Sequence, residues 1–266
     1  MKIKKLHVVL VLLALCVCTL PFLPHLRRPV VAAIQITKGK KTISDRVGQF
    51  GTAVQKRLRP VLDQIGVEYP PKRMTLVGIK DKRLVQVWLA GKTGEWRHLK
   101  DYPILGMSGT LGPKLKEGDR QVPEGIYRVE SLNPNSLYHL ALRVNYPNAE
   151  DRQRGIQDGR IELGSDIMIH GKDCSIGCLA MGDEAAEDLF VLAAETGIDN
   201  VTIILSPVDF RVGDLPENMP STPAWTKQLY SSIKRELSKL QKPTVDDAML
   251  RPRYPCLLYT SPSPRD

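Results

Sequence analysis

The sequence predicts an α+β protein, a β-rich central domain with flanking helices. Three observations carry that expectation. Between Met74 and Ser206 most apolar segments are short, rich in β-branched residues and punctuated by Gly, Pro and Asn. On both sides of that region apolar residues recur instead at spacings of three and four. Within it, "GDEAAEDLFVLAAETG" alone has the composition and period of a helix.

The first element is helical. "SDRVGQFGTAVQKRLRPVLDQIG" puts Val47, Phe50, Val54, Leu58, Val61 and Ile65 on one face, with Ser44 as cap and Pro60 expected to break or kink the helix near Arg59. "MTLVGIK" and "RLVQVWLAG" form a hairpin across the "KDKR" turn, and "EWRHLKDYPIL", "GIYRVESL" and "LYHLALRV" continue as strands. In the last of these Tyr138, Leu140, Leu142 and Val144 share one face, leaving His139 and Arg143 on the other. "DIMIH" is a short strand ending at His170. The helix that follows is capped by Asp183 and stopped by Gly197, and "NVTIILS" is a buried strand. Finally "STPAWTKQLYSSIKRELSKLQ" aligns Trp225, Leu229, Ile233, Leu237 and Leu240 on one helical face, with Pro223 in the first turn.

The ends place the protein. "MKIKK" precedes the mostly apolar run "LHVVLVLLALCVCTLPFL", so residues 1–33 read as a signal peptide or short membrane anchor, with "VAA" as candidate cleavage residues. Cys16 and Cys18 lack the small neighbours of a lipobox. Residues 34–73 are then an N-terminal helical segment, 74–207 the central domain and 208–245 a C-terminal helical extension. The aperiodic 246–266, ending "CLLYTSPSPRD", reads as a tail outside the native structure. The expected location is the periplasm or cell envelope, with membrane contact only through the N-terminal segment.

Charge excludes one class of partner. The net +9 lies wholly on the flanks, because Met74 to Asn218 holds 16 Lys and Arg against 22 Asp and Glu. An acidic middle is a poor nucleic-acid surface, so no nucleic-acid partner is expected.

In an oxidising compartment free thiols need a reason. With Cys16, Cys18 and Cys256 in the terminal segments, the body keeps Cys174 and Cys178, both in "HGKDCSIGC". His170 ends a strand eight residues before Cys178, and an imidazole in reach can take a thiol proton to make a nucleophile. Gly177 permits close approach of a carbonyl, and the amides of Gly177 and Cys178 could hold the developing oxyanion. Other readings exist. His170, Cys174 and Cys178 supply only three metal ligands, without short zinc spacings. A Cys174–Cys178 disulfide closes too short a loop to stabilise much, and serves better as a reversible redox state. Spacing alone does not separate catalysis from a packed histidine with buried cysteines.

The wider sequence does. "IMIHG" followed by "SIGCLAM", with "YPILGMSGTLGPKLKEGDRQVPEGIYRV", "NPNSLYHLAL" and "NYPNAEDR" upstream, resembles the L,D-transpeptidase catalytic-domain (YkuD-type) family, in its YafK-like branch. The resemblance covers roughly Met74 to Ser206. It implies a β-sandwich-like catalytic domain with Cys178 as nucleophile, His170 as base, the Gly171 carbonyl orienting the imidazole, and Ser175, Ile176 and Gly177 framing the oxyanion. The implied substrate is peptidoglycan: the thiol attacks the diaminopimelate carbonyl of a stem peptide, expels terminal D-alanine and passes the acyl group to an amine, with consequences for wall biogenesis and cell shape. No cofactor or metal is implied.

Two positions depart from the common family pattern. Ile176 stands where many members carry histidine, and Ala180 where many carry arginine; the gap between the two motif halves is also shorter. Lys172, Arg143 or Arg128 could replace the missing charge, and His139 could face the site. Water in place of the amine would make the enzyme an amidase that releases a peptidoglycan-linked outer-membrane lipoprotein. A non-catalytic wall-binding module is the reading from another class.

Overall fold

The structure, a computed structural model, describes residues 39–240. The export segment with Cys16 and Cys18, and the tail with Cys256, lie outside the described residues. Helix α1 (Ile43–Ile65) leads to β1 (Arg73–Ile79), β2 (Leu84–Ala90), β3 (Trp96–Pro103), β4 (Gly125–Asn133) and β5 (Ala141–Val144). There follow α2 (Ala149–Gln157), β6 (Met168–His170), β7 (Leu179–Ala180), α3 (Asp183–Thr196), β8 (Val201–Ser206) and α4 (Thr226–Ser238). Among the described residues no helix is long and apolar enough to cross a membrane.

The strands form one mixed sheet in the order β3-β2-β1-β8-β4-β5-β6-β7. β1 and β8 are parallel, as are β6 and β7, and the other neighbours are antiparallel. This corrects the sandwich expectation: the sheet is continuous and turns at β4 instead of dividing into two facing sheets. β4 spends its first residues, Gly125 to Arg128, on β8 and its last ones on β5, with a bulge between Val129 and Ser131 where the partner changes. A bulge bends and twists its strand, which is how one sheet curls.

Helices cover both faces of the central strands. On one side Leu76, Val87, Ile203 and Leu205 meet Val54, Leu58 and Leu62 of α1 and Leu189 and Phe190 of α3. On the other, Val77, Ile79, Trp88 and Ile204 meet Leu229, Ile233 and Leu237 of α4. Burial on both faces explains why "NVTIILS" is an unbroken apolar run. Arg57 of α1 donates two hydrogen bonds to Asp188 Oδ1 of α3, at 2.7 and 2.9 Å, and Tyr102 of β3 donates to Oδ2 at 2.8 Å. α1 is thereby fastened into the core of the domain.

Several local expectations change. α1 is capped by Thr42, in a capping box with Asp45, and not by Ser44. It runs through Pro60 because Pro60 and Lys56, whose carbonyl loses its partner, are both on the exposed side where water can serve. Gly182, not Asp183, is the N-cap of α3, and Asp183 stands in its first turn. The strand predicted from Leu137 begins only at Ala141, since His139 has a φ of 75° that no strand tolerates.

Candidate functional site

The site is built where β6 and β7 meet. Their parallel register sets Ile169 opposite Leu179 and His170 opposite Ala180, so Cys178, just before β7, comes beside Met168. The Met168 amide donates to Cys178 Sγ at 3.3 Å, and the thiol donates to the Asp166 carbonyl at 3.3 Å. The loop between the strands turns sharply enough through Lys172 (φ 62°) and Gly177 (φ 83°) to return the chain in parallel within eight residues.

His170 is 3% exposed. Its Nδ1 lies 2.6 Å from the Gly171 carbonyl, an acceptor, so Nδ1 carries the proton and Nε2 keeps a free lone pair in the neutral ring. The Tyr138 ring packs on the imidazole, with centroids 4.7 Å apart. Burial lowers the His170 pKa against the opposing Gly171 hydrogen bond, and burial raises that of Cys178 against the Met168 bond. Both shifts favour a neutral thiol and a neutral imidazole over a standing ion pair.

That sign has a measurable consequence. If His170 acts as base, the acid limb of the pH–rate profile is expected below the usual histidine range near 6.5, and a limb at or above that value contradicts the buried neutral ring. In folding, a lowered His pKa means that the unfolded chain binds the extra proton first. His170 then costs no stability above the ordinary value and destabilises progressively as pH falls through it.

The two amides expected from the sequence to hold an oxyanion are occupied. Gly177 N–H donates to Ser108 Oγ at 2.8 Å, and Cys178 N–H donates to Ser175 Oγ at 2.9 Å. Ser108 in turn donates to the Arg120 carbonyl at 2.7 Å. Ile176, the residue before these amides, is 74% exposed. Cys174 and Cys178 are both free thiols, Cys174 exposed. Among the described residues no group of three His, Cys, Asp or Glu side chains converges as a metal site.

Two of the candidate charges, Lys172 and Arg143, are already paired. Lys172 bonds Asp183 through both its ammonium and its amide, and Arg143 bridges Glu130 and Asp166. Burial alone would raise the Asp183 carboxyl, but the Lys172 bonds outweigh it and leave the pKa lowered. Arg128 lies on β4 opposite Thr202, with its amide donating to Asn145 Oδ1 at 2.8 Å. His139 bonds Glu187 of α3 at 3.0 Å and sits edge-on to Phe50 of α1, so it is held by the helices. Ala180 is fully buried and bonded to Gly106 in both directions.

Gly106 shows how tightly this corner is closed. A Cβ there would lie 2.3 Å from the Asp173 carbonyl oxygen, a backbone atom of the loop preceding Cys178. Gly106→Ala is therefore expected to cost about 1–3 kcal/mol of stability and to reduce any Cys178-dependent turnover by displacing that loop. Unchanged denaturation and turnover would contradict this packing.

The model of the L,D-transpeptidase catalytic domain (YkuD) matches residues 72–204, half of the chain. The chain belongs to this family. The chain is also 40% identical over 141 residues to the Escherichia coli K12 protein named "Putative L,D-transpeptidase YafK". That match covers 51% of this chain and 53% of the relative, so the chain spans about half the length of the curated relatives it matches. Among solved structures, the helical cell shape determining protein Pgp2 of Campylobacter jejuni is 17% identical, with 70% of this chain and 78% of that chain covered and a TM-score of 0.41. Bd1075 of Bdellovibrio bacteriovorus is 20% identical, with 65% and 56% covered and a TM-score of 0.38.

Residues that the L,D-transpeptidase motif reading missed are those acting through the backbone or across loops: Ser108, Tyr138, Asp166, Met168 and Asp183. Of these only Ser108, set between glycines in "GMSGTLG", carried a local signal.

Proposed function

We propose that this chain is an exported cysteine enzyme that acts on peptidoglycan stem peptides at diaminopimelate, through a Cys178 thioester with His170 as base. The observation that supports it most is the unprotonated Nε2 of a buried imidazole, two residues along β6 from the backbone that holds the Cys178 thiol.

In this reading the thiol leaves the Asp166 carbonyl and gives its proton to Nε2 as sulfur attacks the substrate carbonyl. The Gly171 carbonyl keeps its bond to Nδ1–H and steadies the imidazolium. The proton then passes to the leaving nitrogen as the C–N bond breaks, and D-alanine departs. An amine completes transfer and water completes hydrolysis; both regenerate the thiol. The oxyanion takes the Gly177 and Cys178 amides when the two serine hydroxyls yield them. The basic segments and the export signal suit an envelope substrate.

The test is mass spectrometry of wall-derived tetrapeptides, and of wall carrying attached lipoprotein, after exposure to the protein. Cross-linked or released products that require Cys178 are expected. Release without cross-links identifies water as acceptor and the enzyme as an amidase. Binding to wall without thiol-dependent chemistry overturns the proposal in favour of a binding module.

A further inference from the structure

We propose that Arg120 is a specificity-determining residue, whose guanidinium holds a substrate carboxylate beside Cys178. The inference rests on the stem-peptide reading, because such a donor carries a terminal carboxylate and a second one on diaminopimelate.

Position is the first argument. The Arg120 carbonyl accepts from Ser108 Oγ–H, and Ser108 Oγ accepts from Gly177 N–H, so two hydrogen bonds of 2.7 and 2.8 Å join Arg120 to the residue before the nucleophile. The neighbouring Gln121 carbonyl lies 3.7 Å from where a Gly177 side chain would begin. Arg120 therefore stands on the loop that faces the nucleophile turn.

Preorganisation is the second. Asp119, before it, accepts from Lys114 Nζ and from the amides of Leu115, Lys116 and Gln121. Gln121, after it, accepts from Thr110 N–H and donates to the carbonyls of Thr110 and Gly112. Between these two clamped residues Arg120 is held at a φ of 57°, a left-handed conformation that arginine rarely adopts. Such strain persists where the surroundings over-determine it and is common at ligand clamps.

Availability is the third. Arg143, Lys172 and Lys114, cations on the segments around the β6–β7 turn, are each paired with acids. The Arg120 side chain is exposed, and among the described residues no hydrogen bond, ion pair or ring contact engages its guanidinium. An arginine fork matches a carboxylate in two parallel hydrogen bonds, and a loop that fixes its backbone lowers the cost of making them.

The experiment compares wild type, Arg120→Ala and Arg120→Lys on three synthetic stem tetrapeptides: one unmodified, one amidated at the terminal carboxyl and one amidated at the free diaminopimelate carboxyl. Arg120→Ala is expected to raise KM roughly tenfold with kcat little changed, and Arg120→Lys to recover part of the loss. Amidating the recognised carboxylate should cost wild type a similar factor and cost Arg120→Ala nothing more, which also identifies the carboxylate. The same comparison of Kd on a Cys178→Ala background reads binding without turnover. Carboxylate-dependent binding through Arg120 in a protein with no Cys178-dependent turnover would sink the enzyme reading and leave this inference standing. Equal KM and Kd in wild type and Arg120→Ala, undiminished discrimination by Arg120→Ala, or no carboxylate-dependent binding by wild type would each overturn it.

Discussion

Cys178→Ala is expected to reduce turnover of a wall tetrapeptide by on the order of 10³-fold or more, and His170→Ala by about 10²–10⁴-fold. The double variant should be no worse than Cys178→Ala alone, because an imidazole whose task is to take the thiol proton has nothing to do once the thiol is gone. Stability gives the contrast. Cys178 is half-buried and His170 nearly fully buried, so His170→Ala loses packing against Tyr138 while Cys178→Ala loses little. Turnover losses that simply multiply would mean that the two groups act independently. Cys174→Ser is the control: an exposed thiol without an assigned step should leave the rate near wild type. Undiminished turnover in Cys178→Ala would remove the thioester from the account.

The elements easiest to read were those whose pattern states burial directly. β8 is a nearly continuous apolar run because helices cover both faces of the central strands, and β1 and β2, which read as alternating hairpin strands, are buried along almost their whole length for the same reason. α4 showed its stripe because only one side is buried. α2 escaped notice: "AEDRQRGIQ" has almost no apolar face, and only Gly155 within it is buried. Its signal was the Asn148 and Asp151 capping box, a local cue that needs no periodicity. Between one helix and two, which the sequence of α1 left open, the structure has one, because Pro60 lies on the exposed side where its missing N–H is not needed.

The candidate site was legible as residue types and illegible as geometry. His170 and Cys178 stand out chemically, but their arrangement depends on β6 and β7 pairing in parallel across an eight-residue return. Parallel neighbours usually need a crossover of a dozen residues or more, so no turn rule predicts it. The thiol's resting partners are a carbonyl and an amide, groups that every residue carries. The pairing of Arg143 and Lys172 likewise depends on which acids the fold brings near, and spacing in the chain does not encode that.

Glu124→Ala is expected to lower stability by about 3–5 kcal/mol, and the melting temperature by roughly 6–20 °C, the largest stability effect foreseen for a single side chain. The Lys80 and Glu124 side chains are 2% and 0% exposed, with Nζ 2.8 Å from Oε1. Burial lowers the Lys80 pKa, and Glu124 supplies the main opposing pull. Without it an ammonium remains in the interior with only the Gly112 and Val122 carbonyls, or must shed its proton. Glu124 also accepts from Gly112 N–H at 2.8 Å and from Tyr230 O–H at 2.7 Å, so one carboxylate ties the loop after β3 and helix α4 to the end of β1. Tyr230→Phe removes a single bond and should cost only about 1–2 kcal/mol. Replacing both charges, as in Lys80→Met with Glu124→Leu, should recover much of the Glu124→Ala loss, since a well-packed apolar pair leaves no charge stranded. Calorimetric melting of the three variants checks the order. A Glu124→Ala protein that melts within about 2 °C of wild type would mean that the buried pair contributes little. Because that loop continues to Ser108, Arg120 and Gln121, any Cys178-dependent turnover in Glu124→Ala should fail below its melting point, as the loop loosens before the core does.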